Sequence, residues 1–128
     1  MVVDASAIMA ILRGEPEEEA FKGALADAVA RYISPVNWLE VAMNAESAGR
    51  ADAVAFNRLS DFVAFTVVSV DEAQMRIAHD AWKKYGKGRH PAKLNLGDCF
   101  AYALAKALNE PLLYKGGDFS RTDIKSAL

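Results

Sequence analysis

The 128-residue sequence has one cysteine, two histidines and no long uncharged apolar run, and each shortage removes a class of protein. Cys99 alone cannot close an internal disulfide, and with His79 and His90 it cannot complete a zinc-binding quartet. No stretch approaches the roughly 20 apolar residues that a bilayer-crossing helix needs. The opening Met1-Val2-Val3-Asp4 lacks a basic segment followed by an apolar one. The expectation is a soluble, cytoplasmic protein with no membrane contact. Excess positive charge is also missing: 15 Lys and Arg stand against 17 Asp and Glu, for a formal charge of −2. Such a balance argues against binding nucleic acid through bulk positive field, so any contact of that kind must be local or metal-mediated. No repeat, low-complexity tract or Gly/Ser linker divides the chain, which reads as one domain over residues 1–128 with length enough for one core.

What is present is an alternation. Short apolar runs rich in β-branched or aromatic residues occur at Met1–Val3, Arg31–Ile33, Phe65–Val70 and Pro111–Tyr114. Helical patterns fill the gaps between them, and that order predicts an α/β fold with a mainly parallel sheet covered by helices. Ser34-Pro35 supplies a cap and a first-turn proline for a helix to about Ala48. Asp71 or Ser69 caps a helix over Glu72–Tyr85, and Asn95 caps Leu96–Leu108. Glu17–Arg31 and Arg50–Ala64 supply two more, the first with Phe21, Leu25, Ala28 and Val29 along one face.

Acidic residues fall at telling places. In an open parallel sheet, ligands bind beyond the carboxyl ends of the strands. Asp4 directly follows the first strand, and Asp118 follows the last strand and the turn Lys115-Gly116-Gly117. Glu40 lies on the stripe of Val36, Leu39 and Met43, which predicts that it points inward. Asp98 extends the row of Ala101 and Ala105 at the start of its helix. Two like charges about 4 Å apart repel by about 4 kcal/mol at an effective dielectric of 20. A cluster of four therefore takes up protons or binds a cation, and all-oxygen ligands select Mg²⁺ or Mn²⁺. Each acid also has a plainer reading: Asp4 and Asp118 as helix caps, Glu40 and Asp98 as first-half helix acids favoured by the dipole. Asp71 shows the weakness of position alone, since it too follows a strand and a cap explains it fully.

Four blocks together resemble a known family: Val2-Val3-Asp4-Ala5-Ser6-Ala7; Asn37-Trp38-Leu39-Glu40-Val41; Leu94-Asn95-Leu96-Gly97-Asp98-Cys99-Phe100-Ala101; and Leu112-Leu113-Tyr114-Lys115-Gly116-Gly117-Asp118-Phe119-Ser120-Arg121-Thr122-Asp123-Ile124. They are similar to PIN-domain ribonucleases of the VapC toxin type over essentially the whole chain. The resemblance implies a three-layer α/β/α sandwich and a Mg²⁺- or Mn²⁺-dependent endoribonuclease whose catalytic acids are Asp4, Glu40, Asp98 and Asp118. Asp4 and Asp98 are then the principal metal ligands, with Glu40 and Asp118 acting directly or through water. Ser6 corresponds to the hydroxyl residue beside the metal, and Thr122 to one that braces a carboxylate. Asp123 matches the motif with a hydrogen-bonding role at least as well supported as ligation. The turn Gly116-Gly117 departs modestly from the commoner Gly-Asn or Gly-Asp. A VapB-type antitoxin and a homodimer are implied as partners.

Lys83, Lys84, Lys87, Arg89 and Lys93 form a run with no acid among them, a candidate RNA-phosphate rim; a solvated helix end explains the same run. Trp82, Tyr85 and Ala78 share a face that suits core or dimer surface, and Cys99 suits a small buried hydrophobe. Val54 and Phe56, outside the stripe of Ala55, Leu59 and Phe62, are candidates to receive a partner helix. Two rivals remain at this stage. One is a phosphatase or phosphoacceptor domain, which would want a second acid beside Asp4, where Ala5-Ser6 stands. The other is a non-catalytic α/β binding module in which the acids are only caps.

Overall fold

A computed structural model describes residues 1–128. Its elements are β1 (Val2–Val3), α1 (Ala5–Leu12), α2 (Glu18–Asp27), β2 (Tyr32–Ile33), α3 (Pro35–Ala48), α4 (Arg50–Val63), β3 (Thr66–Val67), α5 (Glu72–Tyr85), α6 (Leu96–Leu108) and β4 (Leu112–Leu113), followed by a 3₁₀ turn at Phe119–Arg121. The four strands form one sheet in the order β3-β2-β1-β4, every pairing parallel. Strand side chains alternate across a sheet, and here they divide the core in two. Val2 and Leu112 join the cluster under α5 and α6, whereas Val3, Ile33 and Leu113 join the one under α1 to α4. The result is the expected three-layer α/β/α sandwich with a parallel centre.

The caps fall where the sequence places them. Ser34 accepts from the Val36 N–H, Asp71 from that of Gln74 at 2.8 Å, and Asn95 from that of Asp98 at 2.9 Å. α2 is shorter than expected: it stops at Asp27, where Arg31 reaches back to the Leu25 and Ala26 carbonyls at 2.6 and 3.3 Å. Val29 thus lies past the helix and is fully exposed, while Phe21 and Leu25 are buried as expected. α1 is an element that the helical patterns do not show, although Asp4 is its N-cap. Five of its eight residues are buried, leaving little polar contrast to mark a face. The run Phe65–Val70 pairs only at Thr66–Val67, because β3 is an edge strand with β2 as its one neighbour.

Two side-chain expectations are overturned. On α3 the buried row is Asn37, Val41 and Ala45; Leu39 and Met43 face solvent, so Glu40 lies at the margin of the core and not along an inward stripe. On α4 Phe56 is 2% exposed and packs on Trp38, whereas Phe62 is 85% exposed. The apolar residues that α4 leaves exposed are therefore Phe62 and, about two turns earlier, Val54.

Candidate active site

β1 lies between β2 and β4, so the chain order reverses beside it and a crevice opens beyond the carboxyl ends of β1 and β4. Asp4 leaves β1 there with its N–H on the Leu113 carbonyl at 2.9 Å, then serves as N-cap of α1. Its Oδ2 accepts from the Ser6 N–H at 3.0 Å and the Ser6 hydroxyl at 2.5 Å. Ser6 Oγ in turn accepts from the Lys115 N–H at 2.9 Å, which fastens the segment after β1 to the segment after β4. Asp4 is buried, and burial raises its pKa against the opposing effect of these hydrogen bonds.

A cavity of about 410 Å³ opens over Asp4, and Glu40, Asp98 and Asp118 all line it. Glu40 comes from the second turn of α3; burial first, and the Asp4 charge second, raise its pKa. Asp98 comes from the first turn of α6, where Asn95 and Asp98 form a reciprocal capping box, with the Asn95 N–H on Asp98 Oδ2 at 3.0 Å. Burial pushes the Asp98 carboxyl up to about 7; the Asn95 N–H opposes this, while Asp4, Asp118 and Glu40 add to it. Asp118 is exposed and sits ahead of the 3₁₀ turn, reached through Gly116 with φ of +95°, a conformation that glycine adopts at little cost. Asp4 and Asp98 are therefore caps as well as cavity acids, but a cap cannot explain Glu40 within α3.

None of the four acids is in an ion pair. The contrast is Asp123, which accepts from Tyr102 at 2.7 Å and Lys106 at 2.8 Å and has the structural role its motif allows. The donor set, four carboxylates lining one cavity with no cationic partner, is of the kind that suits a hard divalent cation. As they stand, no three of these side chains are close enough together to clasp one ion.

Thr122 does not brace a carboxylate. Its hydroxyl donates to the Phe119 carbonyl at 2.7 Å and accepts from the Ile124 N–H at 3.2 Å, closing the turn after Asp118. The basic run lies outside the cavity. Lys83 pairs with Asp80 at 3.0 Å, Arg89 stacks on Trp82 at 4.7 Å, Lys84 lies over Tyr85 at 5.0 Å, and Lys87 and Lys93 are exposed. The run ends beside Asn95, which does line the cavity. The cations in the cavity wall are instead Arg13, at the end of α1, and Lys115, which pairs with Glu15 and Glu17. Lys115 follows β4 closely, a position that could have singled it out. Cys99 is buried, and burial together with Asp98 pushes its thiol up to about 11, as befits an inert packing residue.

A parallel α/β/α sandwich with acids gathered at its switch point matches the model of the PIN domain over residues 1–125. The chain is 45% identical over 129 residues to "Ribonuclease VapC" of Mycolicibacterium smegmatis, with 97% of each chain covered. It is 44% identical to "Ribonuclease VapC28" of Mycobacterium tuberculosis, covering all of this chain and 98% of that one. The Mycobacterium tuberculosis toxin VapC20, described as cleaving the sarcin-ricin loop, superposes with a TM-score of 0.73 at 19% identity, covering 96% of this chain and 95% of that one. A toxin–antitoxin complex from Klebsiella pneumoniae gives 0.71 at 18%, covering 95% and 92%. The chain belongs to the PIN-domain family, in its VapC branch. No helix is long and apolar enough to cross a membrane.

Proposed function

We propose that the protein is a Mg²⁺- or Mn²⁺-dependent endoribonuclease, the toxin of a toxin–antitoxin pair. The observation that carries this reading is the convergence of Asp4, Glu40, Asp98 and Asp118, from four separate stretches of chain, on one cavity without a cationic partner. Near-full-length likeness to proteins named as VapC ribonucleases supports RNA as substrate. A phosphoacceptor would need a second acid next to Asp4, where Ala5-Ser6 stands. A purely structural role accounts for each acid singly but not for the meeting of all four in one cavity.

Asp4 and Asp98 would hold the cation, with Glu40 and Asp118 completing its shell or orienting the attacking water. When bound, the ion lowers the pKa of a coordinated water and neutralises phosphate charge. Ser6 fixes the Asp4 carboxylate by holding Oδ2. Glu40, on the cavity wall and without a cationic partner, is placed to receive the proton as the water oxygen bonds to phosphorus. One bridging P–O bond breaks, and the departing oxygen takes a proton from solvent water, to which Glu40 later returns its own. Arg13 offers positive charge on the cavity wall to a flanking phosphate, and Lys84 and Arg89 offer it beyond.

For partners, the cleft between α2 and α4, lined by Leu25, Leu59, Val63 and the exposed Phe62, suits an apolar antitoxin segment. The exposed Leu39, Met43 and Leu96 suit a second copy of the chain. The test of function is incubation with defined RNAs, with Mn²⁺ or with EDTA, beside Asp4→Asn. Cleavage that needs both the ion and Asp4 is expected. Full activity in the variant, or in EDTA, would refute the assignment.

A further inference from the structure

Asn37 is wholly buried on α3, one turn before Glu40, and the chemistry above does not use it. Its Nδ2 donates to the Gly97 carbonyl at 3.0 Å and approaches Asp4 Oδ1 at 3.5 Å. Those neighbours fix the amide's orientation. Turned over, its oxygen would face a carbonyl and a carboxylate, neither able to donate. The Oδ1 left on the other side is buried and has no partner. An apolar residue would avoid that unsatisfied acceptor, but it could not link Gly97 to the Asp4 carboxylate.

Gly97 makes an independent case. A Cβ at this position would lie 2.6 Å from Glu40 Oε2 and 3.5 Å from Asn95 Oδ1. The missing side chain is what lets Glu40 rest over the first turn of α6, beside Asp98. At one small seam the end of β1, the first half of α3 and the start of α6 are held in register, and each of the three carries a cavity acid.

We propose that the Asn37–Gly97 contact is the positioning device of the site: it sets the spacing of Asp4, Glu40 and Asp98, and through it the affinity for the divalent cation and the turnover rate. The inference rests on the nuclease reading. Asn37 touches no substrate and acts through the acids it holds.

The test is Mn²⁺ titration by calorimetry on the full chain, comparing wild type with Asn37→Ala and Gly97→Ala. Circular dichroism and melting in EDTA establish that each variant is folded at the assay temperature. Residues that orient metal ligands typically contribute 10- to 100-fold in affinity or activity. The Mn²⁺ Kd should therefore rise about tenfold or more, and kcat should fall by a similar factor with KM within about twofold. A loss of packing alone would lower the melting temperature and leave the Kd of the folded protein unchanged. A folded Asn37→Ala with wild-type Kd and kcat overturns the proposal. Should Asn37→Ala not fold, Gly97→Ala decides by the same criteria, since it displaces Glu40 with Asn37 in place. If wild type binds Mn²⁺ and cleaves RNA while both variants match it, only the positioning claim fails. If wild type neither binds Mn²⁺ nor cleaves, the nuclease reading fails and takes this inference with it.

Discussion

Replacing Asp98 by Asn should stabilise the cation-free protein at alkaline pH while abolishing its activity. The carboxyl, ordinarily at 3.8, is pushed up to about 7 by burial and then by Asp4, Asp118 and Glu40. Between those two values the folded state holds a proton that the unfolded state has released, so stability falls as pH rises across that window. Above about pH 7 the whole penalty is present; below about pH 4 it is absent. The difference corresponds to about 4 kcal/mol, and to about 2 kcal/mol once the solvent reaching this partly open carboxyl is allowed for. Asn keeps an acceptor for the Asn95 N–H, so the capping box survives. For a chain of this length 2 kcal/mol is worth about 8 °C in Tm. The assay is thermal unfolding of both proteins in EDTA from pH 4.5 to 8.5. The variant should melt higher at pH 8, with the gap closing toward pH 4.5. Saturating Mn²⁺ should reverse the order, because only the wild type gains stability by binding. If the variant melts at or below the wild type at pH 8 with a parallel pH profile, the claim that crowding of the acids destabilises the empty site is wrong.

Two further outcomes separate elements of the structure. Phe56→Ala should cost about 3–5 kcal/mol in chemical denaturation because the ring is buried against Trp38. Phe62→Ala should change stability by less than about 0.5 kcal/mol and instead weaken antitoxin binding; the reverse pattern would show that α4 is turned the other way. Lys84→Ala with Arg89→Ala should weaken RNA binding and flatten its salt dependence without altering Mn²⁺ affinity. Unchanged salt dependence would remove these residues from the RNA path.

Sequence carried the fold well where a signal is local. Asp71, Asn95 and Ser34 are caps, and caps follow from residue type and the run that comes next. Strand-end acids were legible for the same reason, since a parallel sheet gathers its carboxyl ends on one side. Glu40 shares its sequence stripe with Leu39 and Met43, which face solvent, and it reaches the cavity because Gly97 leaves room for it. Asn37 was not legible as a site residue, because a buried amide on a helix breaks the apolar pattern without indicating what it bonds. Arg13 and Lys115 stand out less in sequence than the longer basic run: clustering along the chain is easy to see, while convergence from α1 and β4 depends on the fold.

β4 is the last strand made and the one that lies against β1, the first. The Lys115 N–H that Ser6 receives lies 109 positions further along the chain. A contact of such span forms only as the sheet assembles, so the hollow around Asp4, Glu40 and Asp98 closes with the fold as a whole and not with any one local segment.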